Sequence, residues 1–102
     1  MNKEKTMEFK ELVGIFELSG WQALGKIPNP LTGKTEVNLD AVRNTIDILL
    51  LLREKSKNNL TPEEARLLSG TIANLQINYT AEVEKTKSGV SSEKENTSET
   101  TP

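Results

Sequence analysis

The chain has 102 residues, a net charge of -2, and neither cysteine nor histidine. That composition leaves no disulfide framework, removes the commonest metal ligand and the commonest general acid-base group, and exerts no long-range pull on nucleic acid or an anionic membrane. One small domain is all this length holds, and a core of this size is marginal without help because small domains bury a lesser share of their surface.

Residues 1–6 read as a flexible N-terminus, and residues 7–86 as the folded part. The first helix is predicted from Met7 to about Gly25. Phe9, Leu12, Val13, Phe16, Gly20, Ala23, Leu24 and then Ile27 fall on one face at helical spacing, which makes that face core. Gly14, Leu18, Trp21 and Gly25 line up as a second, narrower strip, with Ile15 on its flank. Glycine inside a helix costs up to about 1 kcal/mol relative to alanine, so two on one strip point to close approach of another backbone or of a ligand. For Gly25, irregularity at a helix end is an equal reading. Trp21 reads first as a cap on the core and second as an interface residue.

The segment IPNPLTGKTEVN breaks the helix at Pro28 and Pro30, turns at Gly33 and ends at Asn38, a good N-cap. Gly33-Lys34-Thr35 looks like the end of a phosphate-binding loop, but Pro28 stands where that motif needs its first glycine, and neither a preceding strand nor an immediate helix is predicted. An ordinary glycine turn is the better reading.

The stretch Leu39 to Arg53 is the centre of the chain. Successive helical residues advance by about 100°, so Leu39, Val42, Ile46, Leu49 and Leu50 form one stripe, which Ala41, Thr45, Ile48 and Leu52 widen to roughly 200°. Leu51 lies about 120° from Leu39, among Asp40, Asn44, Asp47 and Glu54. A helix apolar over this much of its circumference needs more than one packing neighbour. Asp40, Asp47 and Glu54 are the carboxylates of its polar face, and with Arg43 between the first two, a solvated face with local ion pairs outweighs acid-base chemistry. Arg53, Lys55 and Lys57 complement the helix dipole at the C-terminal end. Asn58 and Asn59 end the helix.

Leu60 to Glu64 is a start signal: Thr61 as N-cap, Pro62 at the first helical position, Glu63 and Glu64 in the first turn, and Glu64 placed to close a capping box. The third helix carries Ala65, Leu68, Ile72, Leu75, Tyr79 and Val83 in a seam of three and four spacings, and the short connection predicts antiparallel packing on the second. Residues 87–102 are serine- and threonine-rich with Val90 as the one apolar side chain, and are expected to be a disordered tail.

No secretory signal is visible at the charged N-terminus, and the apolar run Ile48 to Leu52 is far short of the roughly 20 residues that span a bilayer. The expected location is the cytoplasm, so the Asn-x-Thr/Ser triplets at Asn59, Asn78 and Asn96 carry no meaning as glycosylation sites.

From Phe9 to Tyr79 the chain resembles a small bacterial family known as domain of unknown function 1844. The features that carry the resemblance are the Phe9 to Leu24 helix with Ala23-Leu24-Gly25 at its end, the Pro28 to Gly33 turn, and Asn38-Leu39. Thr45-Ile46-Asp47, Glu54-Lys55 and Asn59-Leu60-Thr61 with its following acids complete them. Asn58 stands where that pattern has a glycine. The resemblance implies a compact all-α bacterial protein and brings no activity, cofactor or catalytic residue.

The expectation is therefore an all-α three-helix bundle, a helical hairpin plus an N-terminal helix, that is no enzyme and needs no cofactor or metal. Its function is read as protein-protein interaction or assembly, by self-association or with a helical partner, through Gly14, Leu18, Trp21, Gly25, Ile48, Leu51 and Leu52. DNA and membrane are not expected partners. The alternative is an accessory factor of a nucleic-acid machine such as the ribosome, touched through Arg53 to Lys57 and the proline loop.

Overall fold

The structure, a computed structural model, describes the backbone of residues 7–93 and the side chains of residues 7–87. The expected flexible N-terminus and residues 94–102 of the expected tail lie outside the described residues. Within them are three helices, α1 (Phe9–Ala23), α2 (Leu39–Lys55) and α3 (Pro62–Glu93), each packed on the other two, and no strand. The fold is an all-α three-helix bundle. Gly20 of α1 meets Leu75 of α3, and Glu8 and Lys10 share a cleft with Thr61 and Glu64, so α1 and α3 run parallel. α2 runs against both, with Arg53 Nη1 donating to Ser69 Oγ at 3.5 Å.

Local chemistry sets the helix ends. α1 begins at Phe9, later than Met7, because the Glu8 backbone N–H is taken by the Glu11 carboxylate at 3.0 Å, leaving Met7 outside and exposed. It stops at Ala23, before Gly25, in a Schellman motif: the Gly25 N–H donates to the Gln22 carbonyl (3.0 Å) and the Lys26 N–H to the Trp21 carbonyl (2.9 Å). That turn requires the left-handed conformation, and Gly25 has φ +80°.

The linker is tied back onto the end of α1. The Asn38 N–H donates to the Ala23 carbonyl at 2.7 Å, and Leu24 and Val37 form an isolated bridge. Asn38 Oδ1 then accepts from the Ala41 N–H at 3.1 Å, so one residue anchors the linker and caps α2. At the far end of α2, Ser56 Oγ donates to the Leu52 carbonyl at 2.7 Å and Asn58 adopts φ +72°, the conformation for which asparagine is the usual substitute for glycine. α3 starts with the reciprocal pair that its sequence calls for: the Thr61 N–H to Glu64 Oε1 (2.9 Å) and the Glu64 N–H to Thr61 Oγ1 (3.1 Å).

Val13 and Leu24, Val42, Ile46 and Leu49, and Leu68, Ile72 and Leu75 are buried together between the helices. Burying each such side chain stabilises the fold by roughly 1.5–3 kcal/mol relative to exposure, before the entropy of ordering is subtracted. Phe9, Phe16, Trp21, Ala23, Leu50, Leu52, Leu60 and Tyr79 pack around them. The seam expected on α3 holds from Leu68 to Tyr79; Ala65 is exposed, and Val83 is half-buried outside the core cluster. Beyond Val83, residues 84–87 are all exposed, yet the helix runs on to Glu93, past the expected end near Thr86. Extending a formed helix adds a hydrogen bond for each residue ordered, and between Val83 and Glu93 there is no proline to stop it. Buried Glu82 is paired with Lys85 at 3.2 Å on the same stretch.

Candidate interaction groove between α1 and α2

The apolar arc of α2 is wider than the bundle covers. Val42, Thr45, Ile46 and Leu49 are buried, Ile48, Leu50 and Leu52 are half-buried, and Leu51 is 58% exposed. Ile48 and Leu52 continue the arc towards α1, which offers Leu12 and Phe16 from the flank of its own core face. These four with Leu51 and Lys55 line a cleft of about 310 Å³ open to solvent. Lys55 supplies the only charge in that lining. Asp47 stands one turn before Leu51 as Lys55 stands one turn after it, both are exposed, and neither has an ion-pair partner among the described residues.

Of the residues singled out from the sequence, Ile48, Leu51 and Leu52 are brought together here. The α1 strip is not part of the groove: Gly14 lies about 200° around the helix from Leu12. Leu18 is 49% exposed, and nothing lies within 4 Å of where a Gly14 methyl would be. Trp21 packs against the core, its indole N–H donating to Glu17 Oε2 at 3.4 Å. Gly25 is accounted for by the Schellman turn within the chain. Of the close approach expected at Gly14 and Gly25, Gly14 shows none, while a Cβ on Gly25 would stand 3.6 Å from the Glu36 backbone; a tighter contact, with the Leu75 side chain, lies at Gly20 on the core face. The helical positions of Leu12 and Phe16 mark them as core, and only the packing of α1 beside α2 leaves them lining an open cleft.

The basic residues at the C-terminal end of α2 do not form one patch. Arg53 and Lys57 line a second cleft with Asn58, Leu60 and Ser69, between the end of α2 and the start of α3, whereas Lys55 belongs to the apolar groove. Asp40 pairs with Arg43 at 3.6 Å on the exposed face of α2. Gly33-Lys34-Thr35 belongs to a loop turned by Asn29, whose carbonyl accepts from Thr32 (3.2 Å) and Gly33 (2.7 Å), and no helix follows it directly. Among the described residues no three or more Asp or Glu side chains gather into a group that could hold a metal ion, and no helix is long and apolar enough to cross a membrane.

Neither a curated protein nor a solved structure matches the chain. The model of one family does, over residues 6–81, and this span takes in all of α1 and α2 and the first twenty residues of α3. The chain therefore belongs to the family described as Domain of unknown function (DUF1844).

Proposed function

We propose that this protein is a small helical interaction or assembly module of the bacterial cytoplasm, working by helix packing against the α1/α2 groove, with self-association as its leading form. The observation that carries the reading is that Leu51, 58% exposed, stands on a cleft it shares with four other apolar side chains and Lys55, whereas more exposed Leu31 and Ile77 are not part of that cleft. Exposed apolar surface that is continuous and rimmed by charge marks contact sites. A catalytic reading has no comparable support, since Asp40 is engaged with Arg43 and the carboxylates of α2 stand on an open surface. The ribosome-accessory alternative has less support, because Arg53 and Lys57 are in a different cleft from Lys55.

The test is Leu51→Lys in the full chain. Light scattering gives the mass of the purified protein, and a tagged copy expressed in its host reports what copurifies. The reading requires that the substitution lower the mass or remove a stoichiometric partner while helical circular dichroism shows that the chain is still folded. An unchanged mass and unchanged set of partners would overturn it.

A further inference from the structure

Resting on the groove reading above, we infer that the occupant of the α1/α2 groove is a second copy of this chain, related by a two-fold axis that passes beside Leu51 and sets the two α2 helices antiparallel. A two-fold interface must be self-complementary, so that whatever residue i meets as residue j, residue j meets as residue i. The outer face of α2 has that property about one point. Asp47 lies one turn before Leu51 and Lys55 one turn after it, each about 40° to either side and about 6 Å along the helix axis. Turning a second copy end over end about Leu51 brings its Lys55 level with Asp47 of the first, and its Asp47 level with Lys55 of the first. Both ion pairs then form together, each reaching across the seam, because Lys55 lies on the groove flank of Leu51 and Asp47 on the opposite flank. A parallel arrangement in register would instead set Asp47 against Asp47 and Lys55 against Lys55, and like charges in apposition suppress an association.

The apolar parts agree with the charges. The two-fold sets Leu51 on Leu51, and since Ile48, Leu52, Leu12 and Phe16 all lie to the Lys55 side of Leu51, the two grooves open on the same side of the contact and face each other. The exposed leucine of each copy thereby enters the apolar surroundings of the other. Asp47 and Lys55 have no other ion-pair partner to give up among the described residues.

The experiment is a charge exchange on the full-length chain, read as a dimer Kd by sedimentation equilibrium, with helical circular dichroism and melting as the check on folding. Both residues are exposed, so the variants fold. The wild type reaches twice the 11.3 kDa mass of one chain. Asp47→Lys alone and Lys55→Asp alone each place two like-charge pairs across the axis and raise the Kd by about tenfold or more. The double variant Asp47→Lys/Lys55→Asp returns to near the wild-type Kd. An equimolar mixture of the two single variants forms a mixed dimer, because in that pairing every introduced charge meets its opposite. A double variant no tighter than the singles, or a mixture that stays apart, overturns the antiparallel arrangement. If Leu51→Lys still dissociates the protein in that case, the groove reading survives and only this register falls. A wild type that stays monomeric at about millimolar concentration rejects the second copy, while the copurification arm of the Leu51→Lys experiment still judges the groove.

Discussion

A methyl group on Gly20 would stand 2.7 Å from Leu75 Cδ2, closer than nonbonded carbons approach. Leu75 is fully buried, so its branched end would have to shift against the core side chains around it. Gly20→Ala should therefore destabilise the bundle by about 1–3 kcal/mol through overpacking, even though alanine gains up to about 1 kcal/mol of helix propensity. Gly14→Ala, in the same helix with nothing within 4 Å, should gain about 0.5–1 kcal/mol. Urea unfolding of the two variants gives opposite signs if α1 and α3 touch where the geometry says they do.

The two left-handed helix ends differ in residue type. Gly25→Ala should cost about 1 kcal/mol or more, because φ +80° strains an L-residue and its Cβ would lie 3.0 Å from Val37 Cγ2. Asn58→Gly, at φ +72°, should gain about 0.5 kcal/mol, since asparagine tolerates the conformation without preferring it. Thermal melts resolve both shifts.

Within α2, Ile46 and Leu51 separate core from surface. Ile46→Lys puts a charge among Val42, Leu49 and Leu75 and should unfold the chain, with loss of the cooperative melt. Leu51→Lys should leave the monomer within about 0.5 kcal/mol of wild type, so any larger loss of stability that depends on protein concentration belongs to an assembly.

Removing everything after Lys87 should lower the melting temperature by less than about 4 °C, because residues 84–87 are already exposed and the described packing ends at Val83. Helical circular dichroism should fall at the same time, in proportion to the lost end of α3. A larger drop in melting temperature would show that the C-terminal segment docks on the bundle.

Thr61→Ala should cost about 1 kcal/mol, since it takes the acceptor from the Glu64 N–H and breaks one half of the capping box. The loss should be recovered by Thr61→Ser, whose hydroxyl makes the same bond, and chemical denaturation of the pair checks it.

The starts of α2 and α3 were legible in the chain, because Asn38, Thr61 and Glu64 act on backbone groups within one turn of themselves and need nothing distant. The core stripe of α2 was legible for a similar reason: Val42, Ile46 and Leu49 recur at the helical period whatever they pack against. Ile48, Leu51 and Leu52 were marked as apolar in excess of one packing face, and the structure leaves them at one cleft. Local patterns did not reveal the role of each glycine, since Gly14, Gly20 and Gly25 look alike in sequence while one is open, one touches Leu75 and one turns the chain. Nor did they separate Lys55 from Arg53 and Lys57, or draw Leu12 and Phe16 into the groove. Periodicity states which residues share a face of one helix. Where two faces fail to close on each other depends on how α1 and α2 lie side by side, and that is settled only when all three helices pack around Leu49, Leu68 and Leu75.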